Sequence, residues 1–107
     1  MELEEFEIEI KPQFQQSLYE IIDYIRQFSN QNSERFKKEI VELIYKIAES
    51  PFYYPVQNKI STQKEYRYAQ FKKSYHLFFR IEGNKIIVLD IIHVKRNSLF
   101  IKKLDKI

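Results

Sequence analysis

The only glycine in the chain, in the pair Gly83-Asn84, lies between two apolar segments. Glycine reaches the positive φ angles of a two-residue hairpin turn without steric cost, and asparagine tolerates them. The sequence therefore predicts a β-hairpin of strands 74–82 and 85–94. A further predicted strand at 65–72 extends it to a three-stranded antiparallel meander, with Lys73-Ser74 as the preceding turn.

The start of the chain changes from strand to helical periodicity. Phe6, Ile8 and Ile10 alternate with glutamates, which is typical of a half-buried strand. Pro12 then fits the first turn of a helix, where its missing N–H costs little. The apolar positions that follow have helical spacing: Phe14, Leu18, Ile21, Ile25 and Phe28.

A second amphipathic helix follows the polar stretch SNQNS at 29–33. Ser33 or Asn32 is predicted to cap it. Ser50-Pro51 is predicted to end it, because the residue before a proline avoids the helical region. A short connection between two amphipathic helices implies an antiparallel pair. The second stripe consists of Phe36, Ile40, Leu43, Ile44 and Ile47.

Together these elements predict an α+β fold: an N-terminal strand, an antiparallel helix pair and the meander. The aromatic stretch at 52–64 is predicted to be a loop whose rings tuck under the sheet edge. Phe100, Leu104 and Ile107 have a spacing that allows a short docked C-terminal helix. A length of 107 residues without a change in composition indicates one domain, 1–107.

Composition excludes several classes of site. The chain has no cysteine, so it has no disulfide, thiolate zinc site or cysteine nucleophile. Its two histidines lack a supporting acid cluster, so we predict no metal and no cofactor. No apolar run approaches the ~20 residues that span a bilayer. The acidic, alternating N-terminus differs from a signal peptide, and we expect a cytoplasmic protein.

Charge is distributed unevenly along the chain. Residues 1–54 have a net charge of −5 and residues 55–107 a net charge of +8, although the total is only +3. A strongly basic half favours a surface that binds an anionic partner.

The predicted turns also assign side chains to the two faces of the sheet. They pair Arg67 with Arg80 and His76 with Ile91. Because side chains alternate across a sheet, these pairs determine which residues share a face. One face then collects the cationic set of Arg67, His76, Arg80 and His93, with Arg96 just beyond the last strand. The other face, which includes Tyr68, Asp90 and Ile92, is expected to pack on the helices. A slip of one residue would scatter this set.

Several segments, in this order, carry a resemblance to a known family. They are Ala-Glu-Ser-Pro (48–51), Tyr-Arg (66–67), YHLFFRI (75–81) and IIHVKRN (91–97). In order and spacing the chain resembles the RelE/ParE superfamily of bacterial toxins from type II toxin–antitoxin systems, over roughly residues 6–100.

The superfamily has two activities, and the resemblance favours one of them. RelE-like members cleave mRNA on the ribosome without a metal, using basic side chains on the sheet and often a C-terminal tyrosine. By resemblance, the candidate catalytic groups here are Arg67, His76 and Arg96. Ala69 stands where an important lysine is expected, and no tyrosine follows Tyr75.

ParE-like members bind DNA gyrase, and the last two strands match their pattern better. The matching positions of the first of these strands are His76, Phe78, Phe79, Arg80 and Ile81, and those of the second are Val88, Leu89, Ile91, His93 and Arg96. The first hypothesis is therefore a toxin that inhibits gyrase by binding. The alternatives are a RelE-like ribonuclease and a degenerate, non-toxic member that only binds protein.

The resemblance also implies partners. An antitoxin is expected to place an amphipathic helix and an extended arm on the outer sheet or in the groove of the helix pair. Gyrase is the expected target, with the ribosome and mRNA as the alternative. Apolar surface that an antitoxin covers is also compatible with a homodimer of the free chain. The candidate target- or anion-binding residues are Arg67, Lys72, Lys73, Arg80, His93, Lys95 and Arg96.

Overall fold

A computed structural model describes residues 5–57 and 65–96. It contains a strand, two helices and three further strands in the predicted order: β1 Glu7–Ile10, α1 Pro12–Arg26, α2 Asn30–Glu49, β2 Arg67–Phe71, β3 Tyr75–Glu82 and β4 Lys85–His93. This confirms the predicted α+β fold. The predicted C-terminal helix lies outside the described residues. Within them, neither helix has the length and hydropathy needed to cross a bilayer.

The four strands form one sheet in the order β1-β4-β3-β2. The β3–β4 hairpin and its pairing with β2 are antiparallel, as predicted, and β1 joins β4 in parallel. Both helices contribute to the cluster that covers one face of this sheet. β4 is therefore a central strand, with β1 and β3 on its two sides and α1 against its face.

Helix α2 begins earlier than predicted. Its cap is Ser29, whose hydroxyl accepts a hydrogen bond from the Asn32 backbone N–H at 3.1 Å, so the predicted caps Ser33 and Asn32 are wrong. Ser33 lies inside the helix, where its hydroxyl donates to the Asn30 carbonyl at 2.7 Å. The polar stretch that interrupts the apolar pattern therefore forms the first turn. The predicted end at Ser50-Pro51 is confirmed.

The turn between β2 and β3 is one residue longer than predicted. Lys72 and Lys73 both have positive φ angles, 51° and 62°, and with Ser74 they form a three-residue connection. Consequently Arg67 pairs with Phe79 instead of Arg80. Every side chain of β2 thus lies on the face opposite to the one predicted, because strand side chains alternate.

A β-bulge in β4 changes the register a second time. Phe79 pairs with Val88 but Phe78 pairs with Asp90, which leaves Leu89 without a paired residue. Beyond the bulge, Ile91 packs in the helix-facing cluster and Ile92 in the outer cluster, which reverses the prediction. Up to Leu89 the predicted faces of the hairpin are confirmed.

Two apolar clusters result from this arrangement. The helix-facing cluster combines Phe14, Phe36, Ile40 and Ile47 of the helices with Ala69, Leu77, Phe79, Val88 and Ile91 of the sheet. The outer cluster contains Tyr66, Phe78, Ile87, Leu89 and Ile92. The aromatic loop is only partly tucked in, because Phe52 and Tyr53 are exposed while Tyr54 packs on Phe79.

We expect Ser29→Ala to lower the free energy of unfolding by about 1 kcal/mol, because the Asn32 N–H loses its acceptor. Urea denaturation measures the change. Ser29→Asn retains a capping oxygen and should unfold like the original chain. Equal losses for both variants would show that the cap is not responsible.

Candidate functional site

Arg67 lies on the helix-facing side of the sheet, where it holds the loop that precedes β2. Its guanidinium donates to the Tyr54 carbonyl at 2.6 Å and to Glu65 at 2.7 Å. It also lies 5.3 Å from the centre of the Phe52 ring. These contacts occupy the guanidinium in fixing the 52–54 segment to the edge strand.

His76 and Arg80 lie on the outer face. The His76 ring is 4.7 Å from that of Tyr68, and burial lowers the pKa of His76 from its usual value. Arg80 donates from Nε to Glu82 at 2.8 Å, while its Nη1 is buried without a hydrogen-bond partner in the described part of the chain. Asp23 and Glu20 do not pair with Arg80, because they belong to α1, which packs on the opposite face of the sheet.

The predicted common face of cationic groups is therefore wrong. Arg67 and His93 are on the helix-facing side, whereas His76 and Arg80 are on the outer side. The cause is the pair of register changes, at the turn after β2 and at the bulge in β4. The candidate catalytic set of Arg67, His76 and Arg96 is not brought to one surface.

Five of the predicted anion-binding residues lie at one end of the sheet, Arg96 by its backbone position. The Val94 N–H donates to the Ser74 carbonyl at 2.8 Å, which ties the turn after β2 to the end of β4. Lys73 and Lys95 are exposed, and Lys72 pairs with Glu39 at 2.7 Å. We call this region the basic end; its residues are Lys72, Lys73, His93, Lys95 and Arg96.

A cavity of about 240 Å³ opens beside the basic end, between α1 and the end of β4. Sequence reasoning missed this α1–β4 cavity, because the bulge that turns His93 toward α1 has no signal in the sequence. His93 Nδ1 accepts the Lys95 N–H at 3.2 Å, which leaves the ring proton on Nε2. The lining residues are Ser17, Glu20, Ile21, Tyr24, Tyr75, Ile91, Ile92 and His93.

Asp90 lies fully buried next to this cavity and connects β4 to α1. Its Oδ1 accepts the Ile91 N–H at 2.8 Å, and its carboxylate accepts hydrogen bonds from Ser17 and Gln13. Burial raises the pKa of Asp90, and these hydrogen bonds oppose that increase. The carboxylate is thus a structural link, because its acceptor capacity is directed at the backbone and at α1.

An apolar groove of about 370 Å³ lies between β1 and the helix pair. Its walls include the half-buried Ile8, Ile10 and Leu18, and Val41 and Tyr45 on α2 are 50% and 62% exposed. Apolar side chains collected in an open groove are typical of a protein-binding surface. Among residues 5–57 and 65–96, no three potential metal ligands lie together.

Comparison with known protein families assigns the chain to one of them. The family described as the ParE toxin of the type II toxin–antitoxin system, parDE, matches residues 8–98. The chain belongs to this ParE toxin family. Comparison with curated proteins finds no match.

Two solved structures share the fold of this ParE-family chain. One, from the chromosomal ParDE system of P. aeruginosa, is 17% identical with a TM-score of 0.69, covering 85% of this chain and 98% of that one. The other, a mutant of the E. coli toxin RelE in the free state, is 13% identical with a TM-score of 0.56, covering 96% and 98%. At these identities the likeness concerns the fold.

We expect the stability of this ParE-family chain to fall as Asp90 ionises. Because burial raises its pKa in the folded state, the folded chain binds the proton more tightly than the unfolded chain. The free energy of unfolding, measured by urea denaturation relative to Asp90→Asn, should therefore decline as pH rises from about the usual value of 3.8 through the folded pKa.

Asp23→Asn provides the control, because Asp23 is an exposed carboxylate on α1, the helix that the Asp90 carboxylate contacts. This variant should show the same decline relative to Asp90→Asn. A relative stability that increases with pH over that interval would contradict the role assigned to burial.

Proposed function

We propose that this chain inhibits DNA gyrase by binding it through the basic end, without cleaving RNA. The observation that supports binding over cleavage is the separation of the candidate catalytic groups. Arg67 lies on the helix-facing side and His76 on the outer side, so one scissile phosphate cannot meet both.

The other positions expected to supply catalytic groups also support this proposal. Metal-independent RNA cleavage needs an acid, a base and charge stabilisation around one phosphate. The Arg67 guanidinium is held by Tyr54 and Glu65. Ala69, which replaces an expected lysine, is only 1% exposed and lies in the helix-facing cluster. That position therefore supplies neither a proton donor nor a charge.

The basic end has the properties of a binding surface. Lys73 and Lys95 project into solvent at adjacent points, and the backbone of Arg96 completes the turn after β4. Clustered charges of one sign raise the rate of association with an oppositely charged partner. We therefore place the contact with gyrase on this end of the sheet.

We further propose that an antitoxin covers the apolar groove. The P. aeruginosa neighbour comes from a ParDE toxin–antitoxin system. An amphipathic partner helix buries its apolar face in such a groove, and exposed Val41 and Tyr45 would become covered. Co-purification with the product of an adjacent small gene would support this proposal. Co-purification that persists after Val41→Asp and Tyr45→Asp would contradict it.

We expect expression of the chain in bacteria to arrest growth and the purified chain to inhibit gyrase supercoiling. Lys73→Glu combined with Lys95→Glu should weaken inhibition about tenfold, because it reverses the charge of the contact surface. Lys38→Glu changes an exposed lysine on α2 and should leave inhibition unchanged.

Parallel sequencing of mRNA ends in the same cells tests the alternative. Cleavage within codons at the ribosomal A site, abolished by His76→Ala, would overturn the proposal in favour of a ribonuclease. Absence of growth arrest would indicate a non-toxic protein-binding member of the family.

A further inference from the structure

We propose that the α1–β4 cavity binds a guanine base of a single-stranded nucleic acid, whose phosphates contact the basic end. The inference concerns nucleic acid alone and does not depend on gyrase binding. It rests on the shape of the cavity, on the carboxylate at its rim and on the lysines beside it.

The cavity has the size and walls of a base-binding site. Its volume of about 240 Å³ is smaller than the ~300–1,000 Å³ of sites for drug-sized ligands. Tyr24, Tyr75 and His93 supply aromatic surfaces, and isoleucines supply the apolar remainder. Unstacked bases bind proteins by stacking on aromatic side chains, so one planar heterocycle suits this space.

The Glu20 carboxylate can make the cavity selective among bases. This carboxylate lies on the exposed side of α1, and Oε1 accepts a hydrogen bond from Gln16 at 2.9 Å. An ionised carboxylate accepts hydrogen bonds but donates none. Guanine presents two adjacent donors, N1–H and N2–H, on its Watson–Crick edge, whereas thymine and uracil present one donor between two acceptors. The carboxylate therefore favours guanine.

The charges around the cavity favour nucleic acid over a basic peptide. An arginine or lysine side chain would also suit a cavity with aromatic walls and a carboxylate. However, Lys73 and Lys95 are both exposed. They lie beside the opening of the cavity, because Lys95 follows His93 by two residues and the Val94 N–H donates a hydrogen bond to the carbonyl of Ser74, which follows Lys73. These charges repel a basic peptide and attract phosphates that flank a bound base.

Fluorescence anisotropy with the purified full chain tests the proposal. The probes are fluorescein-labelled d(TTTGTTT) and d(TTTTTTT), with r(UUUGUUU) and r(UUUUUUU) as the RNA pair, all at one low salt concentration. We expect the guanine-containing probe of at least one pair to bind about tenfold more tightly, as one bidentate base contact provides. The pair with the larger preference identifies DNA or RNA as the source of the base.

Variants separate base recognition from general attraction. Glu20→Gln introduces an amide donor opposite the guanine N2–H and should reduce the preference to less than about twofold. Glu42→Gln makes the same change on exposed α2 and should keep it. Tyr24→Leu should weaken binding of the guanine probe about fivefold through lost stacking. Lys73→Glu with Lys95→Glu should weaken all probes.

Equal affinity for the guanine and homopolymer probes of both pairs would overturn the proposal. So would a preference that survives Glu20→Gln. Binding of the peptide Ac-Gly-Arg-Gly-NH₂ at concentrations where its citrulline analogue does not bind, together with failure of all oligonucleotides, would assign the cavity to a basic protein segment. Because gyrase is absent from these measurements, failure here leaves the supercoiling assay as a separate test.

Discussion

The buried carboxylate of Asp90 determines how the central strand meets the first helix. β4 pairs with β1 and β3, and α1 packs across its face. A charged group in this position is costly unless hydrogen bonds satisfy it. The Ile91 N–H, Ser17 and Gln13 provide them, and the raised pKa shows that burial still dominates. Because these partners lie on both β4 and α1, Asp90 fixes the position of the helix along the strand.

The bulge beside Asp90 connects this structural link to the surface. By adding Leu89 without a partner, it turns His93 toward α1, where its ring meets Tyr75 at 5.5 Å. At this end of β4, the Val94 N–H donates a hydrogen bond to the Ser74 carbonyl. The bulge thus places His93 in the wall of the cavity, and a regular strand would have placed it on the outer face.

The sequence predicts the elements of this fold better than it predicts their registers. Periodicity, Pro12, Ser50-Pro51 and Gly83-Asn84 each carry a local signal that the structure confirms. The positive φ angles of Lys72 and Lys73 carry none, because lysine is not a residue that favours this conformation. The β4 bulge also has no local signal in the sequence. Both features shift side chains by one position, and therefore the site was predicted less well than the fold.

These two shifts bear directly on function, because members of one fold differ by the groups placed on it. In the predicted register, Arg67 would share a face with His76 and Arg80. The three side chains together would then resemble a cleavage site. In the observed register the Arg67 guanidinium donates hydrogen bonds to the Tyr54 carbonyl and to Glu65, and Ala69 is buried in the core. Lys73 and Lys95 remain exposed at the basic end. A charged surface without an assembled acid–base set is suited to binding a partner of opposite charge.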